Sequence, residues 1–296
     1  MKRSSILSVT LCFILAGLGQ AVAQSNFHQP LPKVLWMFRE DVRPARAGAH
    51  QKVEHDFAQF WVKAQVQPFL ALDAVSGNAN EVMFLSGYGS FESFEKDYQT
   101  FMKAASGPMK AEYDALARQE ADLINGQRSA VAIYREDLSY LGDRFKSDLP
   151  KSRYMAVETM RVHPGKGESF AEGAKMFQTA YSKAGIEDPF AIYQVTSGAP
   201  EGTYIIFSQL QSLKRLDEEI ARGPKVMESM GEENWKNLMK GAGDVLMSQE
   251  TQIYSFNPAM SNVSAEFAAV DPDFWAPKPE MLAKATTEGK KSKNKK

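Results

Sequence analysis

Cysteine is all but missing from this chain. The single one, Cys12, sits in an apolar stretch near the N-terminus, so disulfides and thiol catalysis are excluded for everything that follows it. A net charge of one sign is missing too, with 35 basic side chains against 36 acidic ones. Several signatures of common chemistry are absent. There is no Gly-x-Gly-x-x-Gly fingerprint, no Gly-x-Ser-x-Gly elbow, and Pro164-Gly165-Lys166-Gly167 lacks the spacing of a phosphate loop. Among the four histidines none forms a His-x-x-x-His pair. His50 and His55 are five apart and point to different sides of a helix, His28 has no visible partner, and no metal is expected. Long hydrophobic runs are limited to Ile6–Leu18, too short to span a bilayer comfortably.

That run is flanked by Lys2-Arg3 and by Ala21-Val22-Ala23, so residues 1–23 read as a secretory signal peptide. Leu11 before Cys12 argues against a lipid anchor. The expectation is an exported protein, periplasmic or extracellular, with no transmembrane segment in the mature chain. The charge balance also hides an asymmetry. Without the two leader cations and five tail lysines, 28 basic side chains face 36 acidic ones, a net −8. An acidic body is a poor nucleic-acid binder, because that affinity comes from neutralising phosphates. The lysine-rich end reads as a solvated, disordered tail.

What the sequence does contain is one stretch written twice. Val42-Arg43-Pro44-Ala45-Arg46, running on to Phe57, Trp61, Lys63 and Ala64, returns 120 residues later as Val162-His163-Pro164-Gly165-Lys166, with Phe177, Tyr181, Lys183 and Ala184. With small slips, Pro68-Phe69 then pairs with Pro189-Phe190, Ser76-Gly77 with Ser197-Gly198, Ser90 with Ser212, and Gly107-Pro108 with Gly223-Pro224. A repeat of this period governs the fold. The first copy reads as a strand (Val34–Glu40), then a helix with apolar positions at 49, 53, 57, 60 and 64. Two short strands (Phe69–Val75, Val82–Ser86) follow, then a helix capped by Ser90 and broken at Gly107-Pro108, a third helix, and a strand (Ala130–Tyr134).

The second copy repeats the order with strands at Tyr154–Met160, Phe190–Thr196, Thr203–Phe207 and Thr251–Ser255. Its helices are placed at Phe170–Ala184, Ser212–Arg222 and Pro224–Leu246. This is the split βαββαβ, ferredoxin-like order. The fold class is therefore α+β: two tandem ferredoxin-like repeats whose antiparallel sheets cover each other as an intramolecular α+β barrel. The chain divides into a lead-in at 24–32, repeat 1 at 33–147, repeat 2 at 152–262 and a C-terminal extension at 263–296. Asp143–Lys151 reads as a structureless linker, and Ala265–Trp275 as irregular chain packed back on the body.

Tandem repeats of this kind resemble the dimeric α+β-barrel superfamily. The stretch Tyr154 to Lys166, with Glu158, Arg161, Pro164 and Gly165, is similar to the opening strand and turn of NIPSNAP-like members. Repeat 1 departs from it, with Phe38 in place of Glu158 and Ala45 in place of Gly165. The resemblance implies ligand cavities between helices and sheet, where some members bind haem or oxidise small aromatics.

His50 stands on the apolar side of the first helix, where repeat 2 has Phe170, and Glu54 follows one turn later. As a pair they are the candidate catalytic residues, able to hold or move a proton. A half-buried, locally hydrogen-bonded histidine is the plainer reading. Glu158 and Arg161 on the first strand of repeat 2, with Arg39, Glu40 and Arg43 near the matching place in repeat 1, form either a polar ligand site or a cross-strand ion pair. Trp36, Trp61 and Tyr88 complete the candidate ligand contacts, Tyr88 as a residue overhanging a pocket mouth.

Three functions fit. The first is a binding protein for a small apolar or aromatic molecule, held in a repeat-1 cavity, without a cofactor. The second is a cofactor-free monooxygenase or a haem-handling enzyme of the same fold. The third is an envelope interaction or assembly protein that uses its C-terminal aromatics. The expected state is a monomer with an internal pseudo-dimer, or a weak homo-oligomer.

Overall fold

The computed structural model describes residues 31–276. The leader, Cys12, His28 and the lysine tail lie outside the described residues. Repeat 1 supplies strands β1 (Val34–Val42), β2 (Phe69–Ala74), β3 (Glu81–Tyr88) and β4 (Ile124–Tyr134), with helices α1 (Ala47–Ala64), α2 (Phe91–Ser106) and α3 (Lys110–Ala121). A short α4 (Gly142–Asp148) and a 3-10 turn (Leu149–Lys151) lead into repeat 2. Its strands are β5 (Tyr154–Val162), β6 (Phe190–Ser197), β7 (Thr203–Leu210) and β8 (Leu246–Phe256), with helices α5 (Gly167–Lys183), α6 (Lys214–Met230) and α7 (Glu232–Val245). Two short helices follow, α8 (Ala265–Val270) and α9 (Pro272–Trp275).

The eight strands close into an antiparallel barrel in the order β1-β3-β2-β8-β5-β7-β6-β4. Each repeat contributes a four-stranded ferredoxin-like sheet, and the sheets join at two seams, β2 with β8 and β4 with β6. The joins are related by the repeat, so the expected intramolecular barrel is the observed fold. Register follows the pleat, because successive side chains of a strand point to opposite faces. Leu35, Met37, Met83, Leu85, Met155, Val157, Ile205, Phe207 and Tyr254 fill the interior. Trp36, Phe38 and Glu40, alternating with them on β1, lie on the face covered by helices. Both repeats bulge at the end of the first strand, at Asp41/Val42 and at Arg161/Val162. The turn beyond needs a left-handed residue, which is Gly165 in repeat 2 (φ 79°) and Ala45 in repeat 1 (φ 64°).

Four local expectations are corrected. β4 and β8 each extend to 11 residues. Their first halves are polar and hid the strand, yet they pair along β1 and β5. Gly223-Pro224 does not break a helix as Gly107-Pro108 does. α6 runs through Pro224, and the break comes at Gly231, whose φ of 87° a glycine adopts without strain. The carbonyl left unpaired by that proline belongs to Ile220, which is 78% exposed and open to water. Ser90 caps α2 with a reciprocal capping box, but the residue before α6 is Leu213, so Ser212 is not its cap.

The presumed linker and the C-terminal segment are also structured. Phe145 of α4, Phe267 of α8 and Trp275 of α9 are buried against the barrel core. The indole Nε1 of Trp275 donates to the Pro150 carbonyl at 2.6 Å, and its ring packs edge-on against Phe256 and Phe267. These side chains close one end of the barrel. Trp275→Ala should destabilise the protein by about 3–5 kcal/mol, the cost of emptying a large aromatic site. Phe91→Ala, at a position already 52% exposed, should cost less than about 0.5 kcal/mol. Urea unfolding of both variants measures the difference.

Candidate functional site

A cavity of about 310 Å³ lies in repeat 1 between the sheet and helices α1, α2 and α3. Its walls are aromatic. Trp36 and Phe38 come from β1, Phe69 and Phe84 from the neighbouring strands, and Phe57, Trp61, Phe101 and Tyr113 from the helices. Trp61 stacks on Phe101 at 4.5 Å and lies parallel to Phe57 at 6.0 Å. Tyr98, 46% exposed, sits at the rim. Because β1 rises about 3.3 Å per residue, the floor from Trp36 to Glu40 extends about 13 Å. That is room for two or three fused rings.

The Glu40 end is polar. Glu40 projects from β1 opposite Gln127 of β4, whose amide donates to Glu40 Oε1 at 3.0 Å and to Glu120 Oε1 at 2.9 Å. Behind Glu40, His50 Nε2 lies 2.7 Å from Glu40 Oε2 and 3.9 Å from Glu54 Oε1. His50 and Glu40 are each 1% exposed, and Glu54 is 7% exposed. Glu54 Oε1 has no hydrogen-bond partner. The three donor atoms of Glu40, His50 and Glu54 fall within 4.8 Å of one another. Among the described residues, no lysine or arginine pairs with these carboxylates. Glu81, another fully buried acid, is compensated by Arg39, Arg128 and the Tyr254 hydroxyl.

Burial without a counter-charge disfavours every charged form here. It pushes His50 down to about 4 against the pull of Glu120 and Asp73. Burial raises Glu40, opposed by hydrogen bonds from Glu120 and Gln127, and raises Glu54 well above the usual carboxylate range with Glu40 and Glu120 adding to it. Glu120 is pushed up to about 8, by burial and then by Glu40. The cluster therefore holds protons near neutral pH and has few charges.

The two repeats provide an internal control. Met160 occupies the position of Glu40, facing Gln249 as Glu40 faces Gln127. Phe170 replaces His50 and Ala174 replaces Glu54 at the same 120-residue offset. The carbonyls of Leu123 and Val245 take equivalent hydrogen bonds, from the N–H groups of Arg43 and His163, and counting back three residues from each pairs Glu120 with Ala242. The same scaffold folds without the cluster.

Of the residues expected at a site, Trp36, Trp61 and Glu54 line the cavity and His50 backs it. Tyr88 does not overhang a mouth. It is 4% exposed, packs on Phe94 and donates to Asp97 at 2.8 Å. Glu158 and Arg161 belong to the other half. Glu158 accepts from Gln249, burial raises its carboxyl, and Arg161 Nε is buried without a partner. Sequence reasoning named Glu40 only in a polar ligand site or ion pair matching that of Glu158 and Arg161, apart from the cavity, and missed Glu120, Gln127, Phe101 and Tyr113. The one legible signal was an acid, Glu40, on the same face of β1 as Trp36 and Phe38.

No family model and no curated protein matches the chain. Solved structures do. A "Putative monooxygenase" from Fusobacterium nucleatum is 12% identical, with 77% of this chain and 93% of that one covered and a TM-score of 0.47. An anthrone oxidase-like protein is 12% identical over 76% of this chain and 92% of its own, with a TM-score of 0.46. A mutant chlorite dismutase from Candidatus Nitrospira defluvii, in complex with cyanide, is 11% identical over 77% and 92%, at 0.44. At this distance the likenesses carry no chemistry. The α+β-barrel architecture rests on the strand order of the chain itself.

The sign of the pH effect follows from the shifts. Raised Glu120 favours the folded state at low pH, and that contribution is lost as pH rises from about 4.5 to about 8. Depressed His50 acts oppositely, its contribution being lost as pH falls from 6.5 towards about 4. Glu120→Gln should melt above the parent at pH 8.5, by about 2–4 °C for each kcal/mol recovered. The gap should close by pH 4.5. Thermal melts across this range test it.

Proposed function

We propose that the repeat-1 cavity binds a small aromatic molecule bearing a hydroxyl or carbonyl oxygen, and that the Glu40 cluster exchanges a proton with that oxygen. The observation that carries this reading is a buried acid–base group without a counter-charge at the end of an aromatic-walled cavity. The equivalent positions of repeat 2 are apolar. Rings stack along the walls and supply affinity, while Glu40 and Glu120 meet the polar end. His50 has one ring nitrogen against Glu40, which places it to relay the proton rather than to touch the ligand. Removing a phenolic or enolic proton makes a ring electron-rich towards dioxygen. Cofactor-free oxygenation is therefore the enzymatic form of this reading.

A haem does not fit as well. His50 Nε2 faces Glu40 and no histidine lines this cavity, so it offers no imidazole to hold a haem iron. The cavity also lies at the small end of ligand pockets. The interaction reading loses its aromatic contacts, because Phe267 and Trp275 are buried in the barrel end. A NIPSNAP-like affiliation rests on Tyr154 to Lys166, in the half that lacks the cluster. The N-terminal sequence pattern supports reading this as an exported protein.

The probe pair is 1-naphthol and naphthalene, followed by quenching of tryptophan fluorescence. Naphthol should bind about tenfold more tightly, as a hydrogen bond to a charged or proton-sharing group gives. Trp61→Ala should weaken both ligands, and Glu40→Gln should reduce the preference for naphthol with little change for naphthalene. Equal affinities in the parent protein would remove the acid–base part of the reading, and no binding of either would remove the whole.

A further inference from the structure

Glu54 presents an unusual problem. Its side chain is more than nine-tenths buried, yet Oε1 has no hydrogen-bond partner and points to within 3.9 Å of His50 Nε2. A buried carboxylate oxygen left this way is costly unless something positive or protic meets it. We propose that Glu40, His50 and Glu54 bind one divalent transition-metal ion, with its open coordination side facing the aromatic cavity. This goes beyond the aromatic-ligand reading and stands on the cluster alone.

The geometry is near what an ion requires. Donors about 2.1 Å from a common ion lie about 3.0–3.4 Å apart, and here the separations run from 2.7 Å (His50 to Glu40) through 3.9 Å (His50 to Glu54) to at most 4.8 Å. Coordination requires the two glutamate side chains to rotate, so that the 2.7 Å contact widens and the two longer separations shorten. Glu40 is held from outside by Gln127, the kind of outer hydrogen bond that orients a ligating carboxylate. Glu40 and Glu54 both line the cavity, so a ligand oxygen can complete the coordination shell.

Charge points the same way. Glu81 shows how this protein compensates a buried acid, with two arginines beside it. At the cluster three glutamates converge without any such cation among the described residues. Repeat 2 replaces all three proposed ligands at once, by Met160, Phe170 and Ala174. Joint replacement is what a ligand set predicts. An imidazole with two carboxylates suits zinc, manganese or ferrous iron better than magnesium or calcium, which favour oxygen alone.

The test uses the full chain dialysed against chelator, titrated calorimetrically with ZnCl2 and separately with MnCl2, with bound metal counted by mass spectrometry. One ion per chain is expected. Glu54→Gln and His50→Phe should each weaken binding by about 10–100-fold or more. Both should keep the circular dichroism spectrum of the parent, since repeat 2 folds with Phe170 and Glu54 Oε1 makes no hydrogen bond to lose. Failure of the parent to bind either ion overturns the proposal, as does binding that survives both substitutions. Naphthol binding in EDTA separates this inference from the preceding one. A protein that binds naphthol but no ion overturns only the metal site, and one that binds an ion but no naphthol overturns only the aromatic reading.

Discussion

Closure of the barrel is the constraint on which everything else depends. A four-stranded ferredoxin-like sheet with helices on one side has a bare apolar face and two unpaired edges, neither of which is stable in water. Here the second repeat covers the face and pairs both edges, through β2 with β8 and β4 with β6. The apolar interior, from Leu35 to Phe256, is buried because those seams exist. The short helices around Phe145, Phe267 and Trp275 complete the seal at one end.

Duplication then releases one half from symmetry. The inner faces must remain complementary, but each helix-covered outer face answers only to its own helices. Repeat 2 fills the positions of the cluster apolarly around Phe170 and Tyr204, whose rings lie 4.2 Å apart, and its own cavity, beside Tyr181 and Phe190, is polar and lined by Arg215 and Arg222 paired with Asp188. Repeat 1 instead leaves an aromatic cavity with Glu40, His50, Glu54 and Glu120 at one end. Such a cluster costs stability, because burial without a counter-charge keeps its groups neutral at a pH where solvated carboxylates would ionise. A fold held by its barrel interior can carry that cost where a smaller single core could not.

Much of the architecture was legible before any coordinates. The repeat offset comes from comparing the chain with itself, and the strand–helix order of each half from local periodicity. Errors arose where local signals competed with partners distant in sequence. The first half of β4 looked like loop because Gly126, Gln127, Arg128 and Ser129 are polar, and they are strand only because β1 pairs with them. Pro224 looked like a break because proline normally is one, and only an exposed helix face makes it tolerable. Asp143–Lys151 looked structureless and Ala265–Trp275 irregular because their few apolar residues have no periodicity until the barrel end receives them.

The sequence by itself determined the duplication, the α+β class and the anomaly of a histidine and glutamate on the apolar face of α1, since a repeat shows on comparing the chain with itself and the others depend on neighbours a few residues apart. It could not determine the site. Glu40, His50 and Glu120 are on a strand, the next helix and a third helix, and the Glu40–Gln127 hydrogen bond joins residues 87 positions apart. Burial, which turns those side chains from solvated charges into a proton-holding cluster, is a property of the closed sheet and the helices over it. Only the tertiary structure decided that, because desolvation is set by what surrounds a group in space.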